Sequence, residues 1–268
     1  MNNRHTTISF LSDYGLQDEF VGVVHAVIAE IAPHVRVLDI NHNVPPYDVR
    51  AGAMSLTRAV QYLPTGIVLA VVDPGVGTSR RAVAIEVGGG RGYFVGPDNG
   101  LLSGAVAMAG GAERAVELTN TEHHLLAHGA TFAGRDIFAP VAAHLANGVP
   151  LTEFGPLIDP VLLTPGLIPL PQESENGTQC EITWVDHYGN CQLNIGLDDV
   201  RTWGSPIKVT IGENVRMCPV VDNFESIGTG GLALVVDSYG MLALATQRGS
   251  AAVEIGIGVG DAVSLARA

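Results

Sequence analysis

The sequence predicts an α/β fold, with an N-terminal, largely parallel sheet flanked by helices and a smaller all-β, barrel-like C-terminal domain. From residue 7 to about 147, short β-branched runs alternate with helical periodicity, which is typical of βαβ units. Residues 148–178 contain six prolines and little periodicity, and only short strands with glycine-rich turns follow. We therefore predict an N-terminal domain at 1–165, a linker at 148–178 and a C-terminal β-barrel domain at 179–268.

Each predicted element rests on a local pattern. The N-terminal strands are the β-branched runs at 8–11, 35–38, 67–72, 82–87 and 93–95. Apolar residues recur at i, i+3, i+4 and i+7 from Phe20 to Ile31, which predicts a helix that Pro33 helps to close. A second helix is expected from Asp48, a favourable N-cap, towards Leu63. The C-terminal strands are predicted at 180–185, 207–211, 232–236 and 241–245.

Composition narrows the class of protein. The 268 residues are 47% hydrophobic, enough for a sizeable core, and the net charge of −13 would repel a phosphate backbone. We therefore expect no nucleic acid partner and favour a cationic small ligand. No run reaches 18 apolar residues without Gly, Pro or a charge, so we expect a cytoplasmic protein without a membrane partner. The three cysteines lack CxxC spacing and are interpreted as reduced core residues.

Acidic residues end several of the predicted strands. Asp13, Asp39 and Asp73 each end an apolar run, and Asp98 with Asn99 follows another. Ligands of open parallel sheets bind outside the carboxyl ends of the strands, so the set favours a site, although each residue alone is also a common turn or N-cap residue.

Three further segments have the composition of ligand loops. Residues 72–81, VDPGVGTSRR, fail as a dinucleotide fingerprint because Arg80 replaces the third glycine and a strand follows. In 131–140, Phe132 offers a stacking surface and Gly134 permits close approach, although a routine helix start with surface charges would read the same. Residues 185–190, VDHYGN, join an acid, an aromatic and an amide, as nucleoside recognition requires, and a plain β-turn remains the alternative.

The motifs FLSDYG with Asp18, PPYDV, VVDPGVGTSRR, GPDNG, TFAGRDIFAP and VDHYGN span nearly the whole chain. In this order they resemble the S-adenosylmethionine hydroxide adenosyltransferase family, adenosine-forming hydrolases related to the fluorinase and chlorinase. The resemblance implies an α/β domain and a β-barrel, assembled as a homotrimer whose sites lie between one subunit's N-domain and the neighbour's C-domain. It implies S-adenosyl-L-methionine, adenosine and methionine as ligands, and neither a cofactor nor a metal.

The resemblance also implies residue roles. Asp13 would accept the ribose hydroxyls, Tyr47 and Phe132 would wall the sugar and sulfonium, and Asp18 would contact the methionine amino group. The C-domain half would consist of Asp186, Tyr188 stacking on adenine and Asn190 reading its edge. Ser238 and Arg248 lie in DSYGMLALATQRGS, which resembles the family's closing segment more loosely.

Hydrolases of this family are similar in holding the attacking water with an Asp, an Arg and a His. Asp73 and Arg80 occupy the first two positions, and Ala133 stands where the family pattern TFHGRD has histidine. A natural divergence or an introduced substitution would explain Ala133, and the intact surroundings favour the second. The missing histidine predicts a chain that binds its ligand and turns over slowly. Beside Arg80, Asp73 is expected to stay ionised and to be a weak base.

Three alternatives to hydrolysis are distinguished by single features of the sequence. A halide-using relative would not need the carboxylate of Asp73 at the position of the nucleophile. A non-catalytic protein that binds S-adenosylmethionine or adenosine is compatible with Ala133. A methyltransferase would have a glycine-rich strand-to-helix loop near the first strand, where this chain has SDYGLQDE.

Overall fold

The computed structural model describes residues 4–174 and 177–268, and the chain divides into two compact units, residues 1–167 and 168–268. Across these described ranges, no helix combines the length and the apolar character that a membrane span would need.

The first unit is built on a sheet to which seven strands of its described residues contribute, in the order β2-β1-β3-β5-β4-β6-β7. The pairs β2-β1, β1-β3 and β3-β5 are parallel, and the remaining pairs are antiparallel. The α/β class with a parallel-containing sheet is thereby confirmed. The strands are β1 Thr7–Ser12, β2 Arg36–Asn41, β3 Ile67–Val71, β4 Ala82–Val87, β5 Gly92–Pro97, β6 Arg114–Glu117 and β7 Leu157–Ile158.

Helices cover both faces of this sheet. The predicted helices occur as α1 (Phe20–Ile31) and α2 (Val49–Val60), and Asp48 caps α2 by accepting a hydrogen bond from Ala51 N at 2.8 Å. The other helices are α3 (Ser103–Met108) and α4 (Ala139–Ala146). α1 and α4 contribute to one apolar core, whereas α2 and α3 contribute to the other. Burial on both faces explains the continuous apolar run of β3 and the burial of every residue of β4.

Two sequence expectations for this unit need correction. β2 was expected to end at Asp39 but continues to Asn41, because its pairing with β1 extends to the Leu11–Asn41 register. The proline-rich stretch was expected to wrap without folding. It contains a short 3-10 turn at Leu151–Phe154, and its strand β7 pairs with β6.

The second unit is built on a single β-sheet and is barrel-like, as predicted. Its described strands run β12-β11-β16-β9-β10-β15-β14-β13, with β8 added on β9, and every pair except β13-β14 is antiparallel. Two short helices, α5 (Leu197–Val200) and α6 (Ala251–Ile255), complete it. The strands are β8 Gln172–Ser174, β9 Gly177–Val185, β10 Cys191–Gly196, β11 Ile207–Ile211, β12 Asn214–Cys218, β13 Val220–Val221, β14 Leu232–Val236, β15 Met241–Thr246 and β16 Ala262–Arg267.

All three cysteines are free and buried in the second unit, as the sequence predicted. Burial raises the pKa of each thiol, to about 12 for Cys180 and to about 11 for Cys191 and Cys218. The thiols therefore stay protonated at neutral pH and act as small apolar side chains.

Candidate active site

A cavity of about 310 Å³ opens at the carboxyl ends of β1 and β3 in the first unit. This is the edge at which ligands of parallel sheets bind. The parallel pairing of the two strands aligns Ser12 with Val71, so Asp13 and Asp73 follow at neighbouring strand ends. The cavity is lined by Asp13, Tyr14, Phe20, Pro46, Tyr47, Val71, Asp73, Val76, Thr131, Phe132, Ala133 and Gly134.

Asp13 and Tyr47 are joined on one wall of this cavity. Asp13 Oδ2 accepts a hydrogen bond from the backbone N of Tyr47 at 2.9 Å, which leaves Oδ1 open to a ligand hydroxyl. Tyr47 has a positive φ of 67° and remains 75% exposed. A left-handed conformation costs a residue with a Cβ about 1–2 kcal/mol, so the Asp13 contact helps to hold this turn.

Asp73 and Arg80 form a bidentate ion pair beside the same cavity. Arg80 Nε donates to Asp73 Oδ1 at 3.0 Å and Arg80 Nη2 donates to Oδ2 at 2.5 Å, and the Asp73 side chain is only 6% exposed. Burial raises the pKa of Asp73 above its usual value, although Arg80 acts in the opposite direction. We expected Arg80 to lower this pKa, but burial outweighs the ion pair and the net direction is upward.

The loop at 131–134 supplies the opposite wall and leads into a π-helical turn, Gly134–Phe138. Phe132 lies edge-on to Tyr14 and Phe20, with ring centroids 5.6 Å and 5.2 Å apart. Ala133 is 7% exposed and lines the cavity. Its methyl group offers no proton acceptor to the space between the walls.

Tyr14 is a cavity residue that the sequence analysis missed, although it directly follows Asp13 in SDYG. A Cβ on Gly134 would lie 2.0 Å from Tyr14 Oη, so the hydroxyl packs on the Gly134 backbone beside Ala133. Burial, then the nearby carboxylates of Asp13, Asp73 and Asp136, raise the pKa of Tyr14 strongly. The hydroxyl therefore stays protonated. An aromatic residue between an acid and a glycine was a signal in the sequence that could have identified it.

The second unit contains a separate cavity of about 530 Å³. Four of the residues predicted from the sequence line it. Phe224, Thr246 and Gly249 also line it and were not predicted. The predicted residues at this cavity are Asp186, Tyr188, Asn190 and Arg248.

Asp186 organises the turn that carries these side chains. Its Oδ1 accepts hydrogen bonds from the backbone N of Tyr188 and Asn190, both at 2.9 Å, and its Oδ2 accepts from Asn190 Nδ2 at 2.8 Å. Asn190 Oδ1 therefore remains available to a ligand donor. Tyr188 is 75% exposed, so one face of its ring is open for stacking.

Other predicted residues are not brought to these cavities. Asp18 and Ser238 are exposed and belong to neither lining. Among the strand-end acids, Asp98 pairs with Arg81, and Asp39 accepts hydrogen bonds from two histidines. Arg135 and Asp136, whose alternative reading was a pair of surface charges, form an ion pair in which Asp136 is buried.

Comparison with known proteins gives matches over both units. The family model for the SAM hydroxide adenosyltransferase N-terminal domain matches residues 8–155, and the C-terminal domain model matches residues 180–264. The chain is 46% identical over 254 residues to a protein from Salinispora tropica named (R)-S-adenosyl-L-methionine hydrolase, covering 95% of each chain. It is 40% identical over 266 residues to one of the same name from Thermus thermophilus, covering 96% of this chain and 98% of the relative.

More distant and structural matches agree with these. A fluorinase from Actinoplanes sp. is 29% identical over 296 residues, covering 99% of each chain. The crystal structure of an uncharacterized conserved protein from Thermotoga maritima is similar with a TM-score of 0.88 and 34% identity, covering 97% of this chain and 100% of that one.

Proposed function

The chain belongs to the SAM hydroxide adenosyltransferase family and is an S-adenosyl-L-methionine hydrolase, and on this basis we propose how its residues carry the reaction. The enzyme converts S-adenosyl-L-methionine and water into adenosine and methionine. We propose that a water molecule held by Asp73 and Arg80 attacks the ribose 5′ carbon in line with the carbon–sulfur bond. The observation that carries this assignment is the nearly buried Asp73–Arg80 pair at the cavity.

Substrate recognition in the first unit follows from the cavity walls. Asp13 accepts hydrogen bonds from the ribose hydroxyls through the oxygen that Tyr47 leaves open. Tyr47 and Phe132 flank the sugar and the sulfonium, since aromatic faces attract a cation. Gly134 allows the close approach of the Tyr14 hydroxyl to this wall. Asp18, which is exposed in the segment before α1, contacts the methionine amino group.

Residues of the second unit bind the adenine. Tyr188 stacks on the base with its open face, Asn190 reads the base edge with its carbonyl oxygen, and Asp186 holds both by fixing the turn. Arg248 and Ser238 close the site around the ligand, Arg248 from the same cavity. We propose that the chain forms a homotrimer in which each active site joins this surface to the first-unit cavity of a neighbouring subunit.

The chemistry requires little acid catalysis. The water oxygen forms a bond to the 5′ carbon while the carbon–sulfur bond breaks, and its electron pair leaves with sulfur as the neutral thioether of methionine. The proton of the water passes to Asp73, which its raised pKa makes a better acceptor than an exposed aspartate. Positioning supplies the largest share of the rate, because attack needs the water in line with the leaving sulfur.

The same features favour water over a halide ion as the nucleophile. A carboxylate in a nearly buried position repels an anion, and desolvation strengthens this repulsion. We further propose that the protein acts in the cytoplasm. Its three cysteines are free and buried, which fits a reducing compartment.

The test compares the chain with its Ala133→His variant. Adenosine and methionine are quantified after incubation with S-adenosyl-L-methionine, alongside 5′-halo-5′-deoxyadenosine and S-adenosylhomocysteine. We expect slow hydrolysis by the chain, and a kcat about a hundredfold to ten-thousandfold higher in the variant with little change in substrate binding. Equal rates in the two proteins would contradict the role of position 133, and binding without any methionine release by either would contradict the water attack.

A further inference from the structure

Two histidines and one aspartate converge on one point of the first unit, outside the cavity described above. His25 lies on α1, Asp39 lies in β2, and His42 follows that strand. His25 Nε2 is 2.8 Å and His42 Nε2 is 3.0 Å from the same oxygen, Asp39 Oδ1. One ligand atom from each of the three side chains therefore lies within 4.8 Å of the others.

The spacing of these atoms is close to that of a metal site. Zinc binds histidine nitrogen and carboxylate oxygen at about 2.0–2.2 Å, so neighbouring ligand atoms of a tetrahedral zinc are about 3.3 Å apart. The two nitrogen-to-oxygen distances are only a few tenths of an ångström shorter than this. A small outward rotation of the half-exposed Asp39 and His25 would admit the ion, and water would reach the open side.

The surroundings hold both imidazoles in place. The Phe10 ring lies beneath them, with its centroid 4.6 Å from His42 and 6.2 Å from His25. The second ring nitrogen of His42, Nδ1, is 2.8 Å from Ser12 Oγ. The Ser12 hydroxyl can accept from a protonated Nδ1, which leaves the Nε2 lone pair for a metal, the usual outer-shell support of a metal-binding histidine.

The charge at the cluster also favours a cation. An aspartate whose side chain is about half exposed is an anion at neutral pH, and Asp39 belongs to a chain with a net charge of −13. With two neutral imidazoles, a divalent ion is left with one net positive charge that water and solvent can accommodate.

We propose that His25, Asp39 and His42 bind a zinc ion, with water completing its coordination. The site stands apart from the hydrolytic reaction and requires no step of it. The cluster is linked to the segment that carries Asp13. Gly15 N donates to the His42 backbone oxygen at 2.7 Å, and Ser12, which contacts His42 Nδ1, directly precedes Asp13. Zinc at this position therefore stabilises the strand ends that carry Asp13.

The test titrates zinc into the EDTA-treated and desalted chain by isothermal calorimetry and repeats the titration with two variants. We expect one zinc ion per chain and a higher Tm in its presence, since a ligand of the folded state stabilises it. His25→Ala removes one ligand atom and Asp39→Asn removes the negative charge of the ligand oxygen, so each should weaken binding at least about tenfold. His34→Ala is the matched control, because this exposed histidine lies outside the cluster and should change nothing.

Far-UV circular dichroism in EDTA establishes that each variant is folded, and adenosine formation in EDTA should be unchanged by His25→Ala. If the chain takes up no zinc, or if both ligand variants bind it as tightly as the original, the cluster is a hydrogen-bonded network only and the proposal is overturned. These outcomes are independent of whether the hydrolysis assay succeeds.

Discussion

At the scale of single residues, the site depends on what burial does to polar groups. Asp73 keeps its Arg80 partner, yet burial moves its pKa upward, whereas half-exposed Asp39 has its pKa lowered by two histidines. The pKa of the same residue type thus moves in opposite directions at two positions of one sheet edge. The difference arises from the surroundings, which a sequence motif does not record.

Replacing Arg80 by methionine should shift the acidic limb of the hydrolysis rate to higher pH. Asp73 acts as a carboxylate, so activity is lost as the pH falls through its pKa. Without the cation that pKa rises further, by about one unit or more. Ala133 adds no titrating group, so the limb in kcat against pH reports the carboxylate directly. Arg91→Met serves as the control, because Arg91 is exposed and its Nε donates to the backbone oxygen of Gly88. An unmoved limb would count against Asp73 as acceptor.

Tyr14 should act on the reacting water through its hydroxyl. We expect Tyr14→Phe, made together with Ala133→His, to lower kcat about fivefold while KM stays constant, which corresponds to the loss of one hydrogen bond worth about 1 kcal/mol. The ring contacts to Phe20 and Phe132 survive the change, so binding should persist. Tyr62→Phe, at an exposed position, is the control. A rise in KM without a change in kcat would mean that the hydroxyl only shapes the pocket.

At the scale of elements, the turn at 186–190 shows how backbone geometry places the two side chains that we propose to bind adenine. Gly189 has a φ of +84°, and a Cβ there would lie 2.0 Å from Ser250 Oγ. Ser250 caps α6 by accepting a hydrogen bond from Val253 N. The glycine therefore lets the turn pack directly on a helix start while Asp186 fixes its interior.

Gly189→Ala should damage this turn more than backbone strain alone explains. Gly240 provides a matched control, since its φ is +80° and a Cβ there meets nothing within 4 Å. Both variants carry the left-handed penalty of about 1–2 kcal/mol. Only Gly189→Ala should also lower adenosine affinity and lower Tm further, as measured by calorimetry. Equal effects from the two substitutions would show that the Ser250 contact is unimportant.

The sequence predicted elements whose signal is local. Asp48 was identified as an N-cap and caps α2, and the β-branched runs became strands to within a few residues. The sequence-based prediction was wrong where strand pairing sets the end of an element, because pairing with β1 extends β2 past Asp39. Tyr14 was missed for the same reason, because its hydroxyl reaches Gly134 through a contact 120 residues away in the chain. Residues such as Asp13 were found because they follow the carboxyl ends of predicted strands, where ligands of open parallel sheets bind.

At the scale of the whole molecule, each of the two proposed ligand surfaces carries an exposed aromatic side chain. Tyr47 and Tyr188 are both 75% exposed. Exposed aromatic residues beside polar groups are typical of surfaces that a partner covers. Assembly of identical subunits would cover both at once, since a head-to-tail contact that closes a ring joins two different surfaces of the same chain.

Subunit mixing tests the proposed sharing of sites in the trimer. In the Ala133→His background, Asp73→Asn disables the first-unit half and Asn190→Ala disables the second-unit half, so each variant alone should be inactive. In co-expressed trimers of random composition, about a quarter of the sites combine an intact first-unit half from one variant with an intact second-unit half from the other. These sites should restore about a quarter of the activity. Native mass spectrometry measures the mixed trimers in parallel. Sites built within one subunit would leave the mixture as inactive as its parents, because every subunit then carries one disabled half.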